Sequence, residues 1–238
     1  MRLYRNYRPE VQGTIVLAAR APYLRRLAAI AMPVEREAVI VDLGCGDGSL
    51  LQILAERGYE NVSGVDASPS QVALARDAGL SVQEANVLDW LHEAPDAWAH
   101  VIVAFDVLEH FTKSESLQLL DDAHRVLRPG GTLVVHVPNA SSIFSARVRY
   151  ADCTHEQAFT RESLTQLFRA AGFAAGKCYE DTPVVHGFWS ACRWILWKCA
   201  RGLLRFYWAI ETGDSGSEAI FSQNLLAVTR RNERAENV

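Results

Sequence analysis

Short apolar runs alternate with amphipathic stretches along most of the chain. Residues 10–32 mix apolar and basic positions at helical spacing before Pro33, which predicts one or two leading helices. Residues 38–43 form an apolar run of strand length, and further strands are predicted at 61–65, 80–85, 99–104, 132–137, 174–180 and 220–229. Helical patterns run from Asp47 to Arg57, Ser68 to Ala78, Ser114 to Leu127 and 161 to 171. Ser68 is placed as an N-cap with Pro69 at the first helical position, and Thr160 caps the last of these helices with Ser163 in its first turn. Alternating strands and helices predict an α/β fold, a doubly wound parallel sheet covered on both faces, with a last antiparallel strand closing it. One domain over 1–238 accommodates the pattern, with a core at about 36–182 plus 218–230 and a helical insertion at 186–211 before the last strand.

That insertion breaks the pattern of the rest. Trp189, Trp194, Trp197 and Trp208 fall within or beside residues 188–210, and Arg193, Lys198, Arg201 and Arg205 interrupt the apolar run, which argues against a membrane span. At helical spacing Lys198, Arg201 and Arg205 share one face, while Ile195, Leu196, Cys199, Leu203 and Phe206 lie opposite. Gly202 is a point at which the segment splits into two helices. Three roles stay open: a cap over a substrate pocket, a homodimer face, or a peripheral contact with a membrane or a lipid-linked substrate.

Composition narrows the classes. The chain has 238 residues, 49% of them hydrophobic, enough for a large core. The formal charge of −4 argues against a general nucleic-acid footprint. Five cysteines with no C-x-x-C pair fit free thiols in a reducing cytoplasm. The basic N-terminus has no long apolar stretch behind it, so no signal peptide is read and a cytoplasmic location is expected.

The chemistry concentrates where strands end. The first strand runs into Asp42-Leu43-Gly44-Cys45-Gly46-Asp47-Gly48, and the second ends in Gly64-Val65-Asp66. Alternate glycines allow a sharp turn and close approach of a ligand, and Asp66 is placed to accept from two ribose hydroxyls. The G-x-G-x-G spacing differs from the G-x-G-x-x-G of a dinucleotide site, and carboxylates at Asp42 and Asp47 would repel a pyrophosphate. They suit a nucleoside with a cationic end, such as S-adenosylmethionine (SAM).

The passage resembles motif I of class I SAM-dependent methyltransferases. Phe105-Asp106-Val107-Leu108-Glu109-His110, Leu127-Arg128-Pro129-Gly130-Gly131 and Val137-Pro138-Asn139 are similar to later segments of that superfamily, extending the resemblance over about residues 38–140. It implies a Rossmann-like seven-stranded sheet with SAM as cofactor and S-adenosylhomocysteine as product. Asp42, Gly44, Cys45, Gly46, Asp66 and Ala67 would hold it, with Asn86 and Val87 at the adenine and Phe105 and Asp106 near the methionyl part. Glu109 and His110 would face the transfer pocket or brace its wall. Oxygen ligands plus one imidazole in Asp106-x-x-Glu109-His110 could hold a divalent cation, but the same string occurs widely without one, and no metal is assigned.

Residues 149–160, Arg149-Tyr150-Ala151-Asp152-Cys153-Thr154-His155-Glu156-Gln157-Ala158-Phe159-Thr160, resemble a segment of methyltransferases found in polysaccharide biosynthesis and, more broadly, the ubiquinone-type group. His155, beside Asp152 and Glu156, is the first candidate for a catalytic base, with His110 and Glu109. The acceptor this implies is a hydroxyl on a sugar or glycan intermediate. A small aromatic or quinone-like acceptor and a non-catalytic SAM-binding adaptor are the alternatives.

Overall fold

The computed structural model describes residues 14–232. The expected helical stretch at 10–13 and the basic N-terminus lie outside those residues. The chain runs α1 (Thr14–Ala31), β1 (Ile40–Leu43), α2 (Ser49–Glu56), β2 (Val62–Asp66), α3 (Pro69–Asp77), β3 (Val82–Glu84), α4 (Val87–Glu93) and β4 (Ala99–Phe105). A 3-10 turn at Leu108–His110 leads to α5 (Lys113–Val126), β5 (Leu127–Pro138), α6 (Ser145–Ala151), α7 (Arg161–Ala170), β6 (Lys177–Glu180), α8 (Phe188–Thr212) and β7 (Asn224–Arg230).

The strands form one seven-stranded sheet in the order β3-β2-β1-β4-β5-β7-β6. β1 to β5 pair in parallel, and β7 inserts antiparallel between β5 and β6. The fold class is therefore the doubly wound α/β sheet with a closing antiparallel strand. Strand alternation explains the nearly continuous apolar runs. Val41, Leu43, Ile102 and Ala104 pack on one face with Leu91, Leu119, Leu120 and Phe168. Ile40, Val101 and Val103 pack on the other with Leu24, Ala28, Leu50 and Leu54. Both faces of the parallel strands must be apolar because helices cover both.

Several local readings change. The Arg128–Gly131 turn lies inside β5 as an irregularity: Ala99 pairs with Leu127, and the ladder resumes at Val101–Thr132. Ser68 precedes α3 but makes no side-chain cap bond; its amide instead donates to Asp66 Oδ1 at 2.8 Å. Gly202 does not divide the insertion, and α8 is one helix of 25 residues. Two short helices, α4 and α6, stand where no helix was read.

α8 is inverted relative to an ordinary surface helix. None of its residues is fully buried, and Ile195, Leu196, Leu203, Phe206, Tyr207 and Ile210 are all exposed. Its cationic side faces the body: Arg201 Nε lies 2.9 Å from Glu180 Oε1, and Arg205 Nη2 lies 3.6 Å from Glu180 Oε2. Trp208 meets Phe221 edge-on at 5.9 Å. Among the described residues, no helix is long and apolar enough to cross a membrane.

Candidate active site

The order of strands reverses between β1 and β4, and ligands of open α/β sheets settle at the carboxyl ends of the strands there. The β1 and β4 loops touch at that point. Gly44 has φ +67, and a Cβ on it would lie 2.5 Å from Val107 Cγ2, so only glycine fits. Gly46, at φ +55, has among the described residues only Gln71 Oε1 near a Cβ position, at 3.8 Å. Of the two, Gly46 is the one that leaves room for a ligand against the backbone.

Asp66 ends β2 and holds this loop. Its Oδ2 accepts from Gly46 N at 2.9 Å and its Oδ1 from Ser68 N. Each oxygen keeps a further lone pair for a ribose hydroxyl. Burial raises its pKa, against the opposing pull of the two amides. Ala67 follows at the exposed strand end. Asp42 is 3% exposed, and its Oδ1 has no hydrogen-bond partner. Burial, then the charge of Asp66, lifts the Asp42 pKa to about 8. A buried carboxylate short of a counter-charge suits the cationic end of SAM. Cys45 serves through its backbone: its amide bonds Val65 O at 3.1 Å, while its side chain packs with Leu51 and Val72 and its thiol pKa is driven up by burial.

Asn86 caps α4, its Oδ1 accepting from Leu88 N at 2.8 Å and from Asp89 N. That engages the carbonyl oxygen of the amide, so its NH2 is the polar group able to meet a ligand. Val87 is the first residue of α4, with its side chain in the core, so only its backbone is offered to a ligand. Asp106 has φ +53, and its Oδ1 lies 2.6 Å from His136 Nδ1. His136 is buried in β5 with Phe105 edge-on at 5.6 Å. Burial lowers its pKa, but the carboxylates of Asp106 and Asp181 overcome this and hold it at about 10, a buried imidazolium. Sequence reading passed over His136, although one histidine inside the apolar Leu133–Val137 run was the signal.

The second half of the site is built by the loop before α7. Glu156 N and Gln157 N both donate to Glu109 O, at 2.7 and 3.1 Å, which seats the loop on the 3-10 turn. Gln157 Nε2 donates to Phe111 O and Ser116 Oγ. The docking brings the His110 and His155 rings to 4.8 Å, edge to face. Asp152 Oδ1 accepts from the Thr154 amide and hydroxyl, which outweigh partial burial and keep its pKa low. Thr154 Oγ1 also contacts His110 Nδ1 at 2.9 Å, and His155 Nδ1 lies 3.2 Å from Val148 O. Glu109 is 1% exposed, and burial followed by the charge of Asp106 raises its pKa well above the usual carboxylate range. Burial and the neighbouring His155 lower that of His110. The three expected acid–base residues thus stand together.

Residues 16–175 match the family model described as a methyltransferase domain. The chain belongs to this family of SAM-dependent methyltransferases, and its cofactor is SAM. A protein of Mycolicibacterium smegmatis described as a probable S-adenosylmethionine-dependent methyltransferase is 31% identical over 151 residues, 62% of this chain and 55% of that protein. The trans-aconitate 2-methyltransferase of Azoarcus sp. is 36% identical over 110 residues, 45% of this chain and 42% of the enzyme. The chain thus spans about half the length of these curated relatives. A SAM-dependent methyltransferase from Archaeoglobus fulgidus shares the fold, with TM-score 0.63, 17% identity and coverage of 91% of this chain and 93% of that one.

Proposed function

We propose that the protein transfers a methyl group from SAM to a hydroxyl of a sugar or glycan intermediate. The observation that carries this reading is the polar cluster of Glu109, His110 and His155 beside the end of β4. When bound, SAM supplies an electrophilic methyl group on a sulfonium. The chain's tasks are then alignment, exclusion of water and removal of the acceptor's proton. Asp66 and the Gly44–Gly48 loop fix the nucleoside, and Asp42 faces its cationic end. The 149–160 loop forms the acceptor wall. His155 carries its proton on Nδ1, directed at the Val148 carbonyl, so its Nε2 is basic and able to accept the hydroxyl proton. A wall of Glu109, His110, Asp152, Thr154 and His155 favours a polyhydroxylated acceptor over an aromatic one, although a relative from Pseudomonas aeruginosa is a ubiquinone biosynthesis O-methyltransferase. Calorimetric titration with SAM and S-adenosylhomocysteine, followed by transfer assays on nucleotide sugars, glycan lipids, phenols and carboxylates, tests this reading. Transfer confined to phenols or carboxylates rejects the sugar acceptor, and cofactor binding with no transfer points to an adaptor.

The face of α8 adds a location. Ile195, Leu196, Leu203, Phe206, Tyr207 and Ile210 share an arc of roughly 120° at ~100° per residue. Exposed Arg193 and Lys198 flank it. A long apolar stripe bordered by cations suits an anionic lipid surface. Flotation with anionic but not zwitterionic vesicles, lost in Leu203→Asp and Phe206→Asp, is the expected result. Dimers that these same substitutions dissolve, without flotation, would assign the stripe to a second copy.

A further inference from the structure

Asp106 turns at the end of β4 with φ +53, a left-handed conformation uncommon for a residue that carries a side chain. Two hydrogen bonds to one residue hold it there. Its amide donates to His136 O at 3.0 Å, and its Oδ1 accepts from His136 Nδ1 at 2.6 Å. The imidazole is fixed in turn. It is buried in β5, with the rings of Tyr23 from α1 and Phe105 from β4 each 5.6 Å away. Asp181 Oδ2 stands 3.7 Å from Nε2, beyond a hydrogen bond but within reach of an ion pair. With a carboxylate facing each nitrogen, the ring carries both protons. Such an arrangement costs stability twice, in a buried charge and in a strained backbone, and it persists only where its surroundings determine it. The sheet does not require it: Val134, the preceding residue on that face of β5, fills the same layer with an apolar side chain.

Asp66 ends β2, the Gly44–Gly48 loop follows β1 and Asp106 follows β4, in that order across the sheet edge. A nucleoside with its ribose at Asp66 directs its amino-acid part along this edge toward β4. We propose that His136 is a positioning residue for the cofactor: it aims and charge-balances the Asp106 carboxylate, which receives the amino group of the SAM methionyl part. An ammonium on a carboxylate makes a charge-assisted hydrogen bond whose strength depends on direction. Tied at its amide and at Oδ1, Asp106 presents that carboxylate in one orientation, so the cofactor meets a preorganised acceptor. Buried Glu109 is near enough for its charge to oppose that of Asp106, and the imidazolium offsets the crowding of the two acids. This role rests on SAM as cofactor and on the expected place of Asp106 at its methionyl part. It does not depend on which acceptor takes the methyl group.

The test is calorimetry on the full chain with three ligands: SAM, S-adenosylhomocysteine and methylthioadenosine, which has the adenosine and the sulfur without the amino acid. Asp106→Asn keeps a residue at ease in the left-handed turn. It and His136→Leu should each weaken SAM and S-adenosylhomocysteine by about 10- to 100-fold and leave methylthioadenosine unchanged. The double variant should lose about as much as either alone, because the two residues act as one unit. His136→Gln keeps a donor for Asp106 but no charge, and should show the same selective loss at roughly three- to tenfold. Circular dichroism and thermal melts show which variants fold, and His136→Gln carries the test if His136→Leu does not. Equal weakening of all three ligands in folded protein makes His136 structural only and overturns the role. Unchanged SAM affinity in the folded His136 variants does the same. Loss for SAM without loss for S-adenosylhomocysteine moves Asp106 to the sulfonium and overturns the amino-group contact. A silent Asp106→Asn removes Asp106 from the cofactor while SAM binding itself stands.

Discussion

The carboxylate of Asp66 accepts a hydrogen bond from the amide of Gly46 at 2.9 Å, so the acid that ends β2 clamps the loop that ends β1. One side chain therefore shapes the loop, and in the proposed mode of binding it also offers acceptors to the ribose. Asp66→Ala should weaken SAM binding by about 10- to 100-fold, from roughly 1.5–3 kcal/mol for a lost charged hydrogen bond. Calorimetry checks this, and an unchanged affinity would place the ribose elsewhere.

The two loop glycines separate fold from ligand. Gly44→Ala places a methyl group 2.5 Å from Val107 at a left-handed φ and should destabilise the protein by about 1–3 kcal/mol. Gly46→Ala meets among the described residues only Gln71 Oε1, at 3.8 Å, so its stability cost is limited to the backbone term of about 1 kcal/mol, with a larger loss in SAM affinity. Thermal melts with and without SAM distinguish them; equal melting losses without SAM would contradict the assignment.

Two buried groups set opposing pH demands. Burial raises the Asp42 pKa to about 8 in the folded chain, against an ordinary carboxylate value of 3.8, so between those limits the folded chain holds a proton that the unfolded chain has released. This makes the cofactor-free protein lose stability as pH rises from about 4 to 8. His136, held at about 10 against 6.5, contributes stability that is complete below 6.5 and lost as pH rises through 10. SAM binding should run the other way across pH 6–8, tightening as Asp42 ionises beside Asp66 and meets a cation. Asp42→Asn should flatten both the affinity profile and the stability slope below pH 8. A wild-type affinity independent of pH in that range would show that Asp42 does not meet the charge.

His155→Ala removes the proposed base and should cut turnover by about 10²- to 10⁴-fold while leaving SAM affinity intact. Single-turnover assays with calorimetry in parallel measure both. Normal turnover returns His155 to holding the loop against Val148.

Glu180 anchors α8 through Arg201 and Arg205 and also accepts the Phe221 amide at 2.9 Å. Glu180→Ala should speed hydrogen exchange across α8 while leaving β1 and β4 protected. Unchanged α8 exchange would mean that Trp208 packing suffices.

The parallel half of the fold was legible because its strands are buried on both faces and read as apolar runs ended by glycine or acid. The loop after β1 was legible because its signals are local: glycines and carboxylates at strand termini, whose turn and hydrogen bonds are fixed by nearby sequence. The meeting of Glu109 and His110 with His155 was suggested by motif, but its cause is tertiary, two amides of the 156–157 loop on one carbonyl. His136 escaped because its partners, Asp106 and Asp181, are distant in sequence. The capping box of Thr112 and Glu115 was visible and unread, whereas α6 has no buried residue and leaves no hydrophobic period. The α8 pattern was readable, but which face meets the body depended on Glu180, outside the helix.

The strand that joins β6 to the rest of the sheet follows β6 in the chain. β7, at Asn224–Arg230, pairs with β5 on one side and β6 on the other. Until it leaves the ribosome, β6 has no neighbour in the sheet, β5 keeps an open edge, and α8 has already emerged with its apolar stripe uncovered. A chain emerging in sequence order thus passes through a stage with β6 unpaired and the edge of β5 open, and the arrival of β7 closes both. Premature termination anywhere before residue 224 costs two strands rather than one.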